Sequence, residues 1–195
     1  MTDFILTLIS AALINNVVLQ WPLGVDPVIN TSREPCITRV QLHALGMATV
    51  WVMFCSTLLN YLLYHSVLVP LELGYLRLFV FLPVSVMAIK PCVSALSRLF
   101  PRLSFDGFQL LLVSNAGILG LALLSTQPDK GMLYALALSI GSGLGFWLVL
   151  SLFHDLQQRI QTQDVPLPFR ALPIQLISAG LMGLAFLGFS GLIKP

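Results

Sequence analysis

Of 195 residues, 57% are apolar and only 9% are charged, whereas a soluble domain carries about 25% charged residues. A chain so poor in charge cannot cover a globule with polar surface, so its solvent is lipid, in agreement with a mean hydropathy of +0.91. The net charge of +2 is too small for a nucleic-acid-binding surface.

Read in chain order, the composition predicts an all-α integral membrane protein with six transmembrane helices over 3–22, 42–64, 75–96, 106–125, 132–154 and 171–193. Each stretch approaches the roughly 20 apolar residues that cross a bilayer. The first is expected to remain as a span: it carries acidic Asp3, has no basic start and shows no small-residue cleavage site. Prolines mark the joins, at Pro22 and Pro27, Pro70, Pro101, Pro128, and Pro166 and Pro168. The loops are too short for a soluble domain, so 1–195 is expected to be one transmembrane domain.

Two polar notches interrupt the apolar runs. Asn15-Asn16 lies in the first span and is followed by Leu23-Gly24-Val25-Asp26-Pro27; Ser114-Asn115-Ala116-Gly117 lies in the fourth. Amides at such depth are costly and call for a reason. One reading is structural, with the amides satisfying backbone groups freed where a helix breaks. The other is functional, with Asn15, Asn16 and Asn115 shaping a cofactor or ion site at the membrane midplane. Asp26 is open in the same way: a straight helix from Phe4 carries it about 33 Å, near the far interface, where it is a turn residue before Pro27, while a broken helix leaves it buried.

The notches recur in the first and fourth spans, and Leu45-Gly46 in the second span is echoed by Leu144-Gly145 in the fifth. With three helices per half, the halves enter the membrane from opposite sides. The expected fold is therefore two inverted three-helix repeats, about 1–100 and 101–195, with helices 1 and 4 broken near the midplane. Arg33, Arg39, Lys90, Arg98, Arg102, Arg159 and Arg170 lie on one side, against Arg77, Lys130 and Lys194 on the other. That asymmetry predicts periplasmic termini.

The glycines of Gly141-x-Gly143-x-Gly145 and of Gly180-x-x-Gly183, with Gly188 and Gly191, are expected at close helix–helix or inter-subunit contacts. Cys36, Cys55 and Cys92 form no ligand motif and read as packing residues. His43 and His65 have no second ligand at i+3 or i+4, and His154 suits a helix C-terminus. No catalytic nucleophile–base–acid set is visible.

Asn15-Asn16-Val17-Val18-Leu19 with Leu23-Gly24-x-x-Pro27 resembles the first helix of the RnfA (RsxA) family, which is related to NqrE. Asp164-Val165-Pro166-x-Pro168-Phe169-Arg170 and the run from Ser178 to Leu192 are similar to that family's last loop and final helix. Gly74-Tyr75-Leu76-Arg77 and Asn115-x-x-x-Leu119-Gly120 fit in register, so the resemblance runs from end to end. It implies a membrane subunit of an Rnf-type complex that couples electron transfer between ferredoxin and NAD to sodium-ion or proton translocation. The implied location is a bacterial inner membrane. The implied partners are an RnfE-like homologous subunit, with the Rnf B, C, D and G subunits. Such complexes can drive ferredoxin reduction, for example for nitrogen fixation, or reset a redox-sensing regulator.

The resemblance further implies a 2Fe-2S cluster held jointly with the RnfE-like partner by cysteines on helices 1 and 4. That site would involve Asn15, Asn16, Gly24, Asp26, Ser114, Asn115 and Ala116. Here the family's Leu-Gly-x-Cys-Pro reads Leu23-Gly24-Val25-Asp26-Pro27, and its Thr-Asn-Cys reads Ser114-Asn115-Ala116. Both cysteines are replaced, and Lys90-Pro91 stands where the family tends to be polar and acidic. Either the cluster has altered ligands, or it is gone and the chain is scaffold or ion path. The alternatives outside the family are a stand-alone inverted-repeat secondary transporter and a structural or assembly subunit.

Overall fold

The computed structural model describes residues 2–16, 39–101, 103, 105, 107–127, 130–160, 166–170 and 172–188. These are helices joined by turns, with no strand among the described residues. Seven α-helices follow in order: α1 (Thr2–Ile9), α2 (Arg39–Leu63), α3 (Arg77–Leu99), α4 (Phe108–Val113), α5 (Ala116–Ser125), α6 (Met132–Arg159) and α7 (Leu172–Leu187).

Three of the predicted spans are helices long and apolar enough to cross a membrane: Arg39–Leu68, Gly74–Leu99 and Met132–Arg159. All three outrun their apolar windows. At the polar ends of α2 and α6, Arg39 at the start of α2 lies 3.4 Å from Asp155 near the end of α6. Such an exposed pair contributes at most about 1 kcal/mol. α3 also contains Pro83 and Pro91, each of which removes a helical N–H; lipid-exposed helices tolerate this when neighbours or local adjustments satisfy the freed carbonyls.

The remaining helices are shorter. α1 widens into a π-turn at Ser10–Ile14 and ends at Asn15, whose N–H donates to the Ser10 carbonyl at 2.6 Å. The fourth predicted span is two helices, α4 and α5, separated at Ser114-Asn115.

α6 is the trunk of the fold and packs against α1, α2, α5 and α7, while α2 also packs on α3 and α5. α2 and α6 run antiparallel, since Arg39, Gly46 and Val50 of α2 meet Asp155, Trp147 and Gly143 of α6 in that order. Glycines make these approaches possible. A Cβ at Gly141 would sit 2.5 Å from the Leu8 carbonyl oxygen, one at Gly145 would sit 2.6 Å from that of Ala12, and one at Gly143 would sit 2.9 Å from the Val50 Cα. Gly46 admits the Trp147 indole, whose Nε1–H donates to His43 Nδ1 at 3.1 Å. In lipid, helix association rests on such van der Waals closeness, because apolar side chains gain little by leaving one apolar medium for another.

The predicted echo of Leu45-Gly46 in Leu144-Gly145 does not correspond to equivalent packing. Gly46 faces α6, whereas Gly145 faces α1 and Asn16. The core joins Val52 and Met53 of α2 to Leu121 of α5 and to Phe146 and Phe153 of α6. Outside it, Phe79, Met87, Leu110 and Leu133 are each at least 70% exposed, as expected of side chains whose surroundings are lipid.

Candidate functional site

The two sequence notches take different local forms. At the first, the π-turn carries the chain to Asn15 and Asn16. Asn15 Nδ2 donates to Ser10 Oγ at 3.0 Å, and Asn16 Nδ2 donates to the Ala12 carbonyl at 2.9 Å. Asn15 is exposed, while Asn16 is fully buried against Gly145 of α6. A π-turn opens one extra residue into a helix and frees backbone groups from the usual ladder; the Asn16 amide serves a backbone carbonyl at that point, and the Asn15 amide bonds the Ser10 hydroxyl.

At the second notch, Ser114 ends α4 and its hydroxyl donates to the Leu111 carbonyl at 3.1 Å. Asn115 leaves the helical conformation (φ −78°, ψ 94°) and opens α5, its Oδ1 accepting from the Gly117 N–H at 3.0 Å. This is an N-cap, worth about 0.5–2 kcal/mol relative to alanine. It explains why an amide can stand inside an apolar run. The side chain is 3% exposed, and its Nδ2 has no hydrogen-bond partner among the described residues. A buried donor left open costs about 1–3 kcal/mol, so the cap also presents an unused polar group.

Asn15 and Asn16 are thus held by the α1 π-turn and α6, and Ser114 and Asn115 by the α4–α5 break. Ala116 is the first residue of α5 and is exposed. Gly24 and Asp26 lie outside the described residues, as does Cys36. The residues present do not fit a thiolate-bound iron–sulfur cluster. Such clusters take cysteine sulfur, whereas Ala116 presents a methyl group at the cap and position 26 is aspartate, the two positions where the resemblance implies cysteine.

Two constellations were not legible in the sequence. The free thiols of Cys55 on α2 and Cys92 on α3 lie near each other, both partly buried between the helices. Nearby on the same helix pair, Ser56, Asn60 and Ser85 form a buried polar cluster. Ser56 Oγ donates to Ser85 Oγ at 3.0 Å, and Asn60 Nδ2 donates to Ser85 Oγ and to the Ser56 carbonyl, each at 2.9 Å. Thr57 and Asn60 are both 0% exposed, and Thr57 Oγ1 and Asn60 Oδ1 have no partner among the described residues. The available signal was the run Ser56-Thr57-x-x-Asn60 inside the second span, whose spacing places all three residues on one side of a helix.

Comparison with known proteins gives these elements their context. A family model described as "Rnf-Nqr subunit, membrane protein" matches residues 4–193. The A subunit of the ion-translocating oxidoreductase complex of Alcanivorax borkumensis is 42% identical over 199 aligned positions, covering the whole of both chains. The proteins of the same name from Pseudomonas paraeruginosa and Cronobacter sakazakii are 40% and 38% identical, again over the full length of both chains. A lipid-facing helical fold, a family match over nearly every residue and end-to-end identity at this level agree: the chain is a multi-pass membrane protein that belongs to the Rnf-Nqr family of membrane subunits.

Proposed function

We propose that this chain is the A-type membrane component of an ion-translocating oxidoreductase complex, in which it supplies scaffold and ion path rather than an electron carrier. The observation that carries this is the α4–α5 break. The chain keeps the break and its Asn115 cap, within a sequence 37–42% identical to A-type relatives, and places Ala116 where the family ligand belongs. The complex would transfer electrons between ferredoxin and NAD and translocate sodium ions or protons. Its other members would be an RnfE-like homologous subunit, with the Rnf B, C, D and G subunits.

In this reading 1–195 is a single domain of six spans, arranged as two inverted three-helix repeats with the breaks in helices 1 and 4 near the midplane. The antiparallel course of α2 and α6 supports it, because the second and fifth spans of an inverted repeat must run in opposite directions. The Arg39–Asp155 pair brings the start of α2 and the end of α6 to one side, together with Arg159. That supports a cytoplasmic basic side and periplasmic termini in a bacterial inner membrane.

The test is purification of the complex from its native membrane, followed by iron analysis and electron paramagnetic resonance. The chain should co-purify with a homologous membrane protein of the RnfE type. Detection of a reduced 2Fe-2S signal assigned to the interface of this chain would sink the scaffold assignment. Recovery of the chain alone or as a homo-oligomer would favour a stand-alone transporter.

A further inference from the structure

Resting on that reading, we infer that the Ser56–Thr57–Asn60–Ser85 cluster between α2 and α3 is a binding site for a partly dehydrated monovalent metal cation of the sodium type, and hence the station for the translocated ion in this chain.

The orientation of Asn60 fixes the chemistry. Its Nδ2 lies 2.9 Å from the Ser56 carbonyl oxygen, 2.9 Å from Ser85 Oγ and 3.3 Å from Ser56 Oγ. The Ser56 carbonyl only accepts, so exchanging amide nitrogen and oxygen would set two acceptors against each other. Asn60 therefore spends its donors on the cluster and turns an acceptor, Oδ1, towards a place where it has no partner among the described residues. The side chain is 0% exposed, so bulk water does not satisfy that oxygen.

Thr57 supplies a second open oxygen. Buried hydroxyls on these helices ordinarily donate back to a carbonyl three or four residues earlier. Thr49 does so to Leu45 at 2.8 Å, Ser125 to Ala122 at 2.8 Å and Ser178 to Ile174 at 2.7 Å. Thr57 does not, although it is equally buried. Thr57 and Asn60 stand three residues apart on α2, which makes them neighbours on one helix face. Two open oxygens on one face of α2, within a membrane span and beside the Ser56–Ser85 hydroxyl pair, give the helix interface two unused acceptors. Each open polar group in such a place is costly, and a bound species offsets that cost.

The bound species is a metal cation and not a proton. Serine, threonine and asparagine side chains do not titrate in the physiological range, so none of the four holds a proton as a bound charge. The described carboxylates Asp3, Glu72 and Asp155 are all exposed, at or near helix ends. Neutral oxygens that replace part of a hydration shell are what a hard monovalent cation takes inside a membrane protein. Because no fixed charge holds it, such a cation binds weakly enough to leave again, which passage requires.

The experiment uses the full chain purified in detergent, with its thermal midpoint followed as sodium chloride replaces choline chloride at constant ionic strength. A ligand at free concentration c, bound only by the folded state, stabilises it by RT ln(1 + c/Kd), and so raises the midpoint as c passes Kd. Sodium should stabilise the wild type and Thr57→Ser, which keeps the hydroxyl, while Thr57→Val should need roughly tenfold more sodium for the same shift. Sodium-23 relaxation on the wild type supplies a second readout that does not depend on a variant folding; it should show exchange that lithium competes and choline does not. Equal midpoints in sodium and choline, or a Thr57→Val response equal to that of the wild type, would overturn the assignment and leave an internal water only. Co-purification and iron content are blind to sodium occupancy, so failure of the complex-membership reading and failure of this site are separate results.

Discussion

Gly145→Ala is the sharpest probe of how the first helix is held. The added methyl would lie 2.6 Å from the Ala12 carbonyl oxygen, 2.7 Å from Asn16 Nδ2 and 3.1 Å from the Ala12 Cα. Ordinary contact begins near 3.4 Å, so the α1 π-turn must retreat by about 0.8 Å from α6, and a packed interface resists that. Overpacking of this kind costs about 1–3 kcal/mol. Displacing the Asn16 amide from its 2.9 Å bond to Ala12 adds about 1 kcal/mol. The higher helix propensity of alanine returns about 1 kcal/mol. The net expectation is a loss of about 1–3 kcal/mol, read as an earlier midpoint in denaturing-detergent titration of the isolated chain. Gly180→Ala is the matched control, because a Cβ there meets nothing within 4 Å and only the propensity gain applies. If Gly145→Ala matched or exceeded Gly180→Ala in stability, the close α1–α6 approach would be wrong.

Other outcomes follow from the same contacts. Asn115→Ala removes both the α5 cap and the open Nδ2 donor, whereas Asn115→Ser keeps a cap acceptor and removes that donor, so the serine variant should be the more stable of the two by about 1 kcal/mol in the isolated chain. Equal stabilities for the two variants would contradict capping. Combining Asp26→Cys with Ala116→Cys should raise the iron content of the purified complex; unchanged iron in a folded complex would count against a replaced ligand pair. Asp155→Asn should shift stability by less than about 1 kcal/mol, since its partner Arg39 is itself largely exposed. A larger effect would mean that the ends of α2 and α6 are more tightly coupled than their exposure implies.

Much of this was legible in the chain. Composition identified lipid as the solvent, and the break expected at Ser114-Asn115 is where α4 ends and α5 begins. Gly141, Gly143 and Gly145 were expected at close helix contacts and are found there. Helical periodicity, however, says which residues share a face and not which helix that face meets. Nothing in the spacing of Ser85 or Cys92 announces that one would bond Asn60 and the other lie near Cys55. The same limit applies to Gly46 and Gly145, which stand in similar sequence contexts yet admit an indole on one helix and a backbone carbonyl on another. The apolar windows of α2 and α6 are shorter than the helices themselves, because hydropathy does not register helical ends made of polar residues such as Arg39 and Asp155.

The position of α6 has a consequence for how the protein comes to exist. Two of its partners, α1 and α2, are made long before it: Leu8 and Ala12 rest on Gly141 and Gly145, and His43 waits for Trp147, which lies 104 residues further on. At ordinary rates of synthesis, α1 spends on the order of ten seconds in the bilayer before its docking surface is made. Insertion and folding are therefore separate events for this chain. α1 must survive as an independent helix with Asn16 facing lipid or the insertion machinery, while α2 can already pair with α3 through Asn60 and Ser85, and the tertiary structure closes only when α6 arrives. Chains truncated before Gly141 should accordingly be inserted but not folded, and should be substrates for membrane proteolysis.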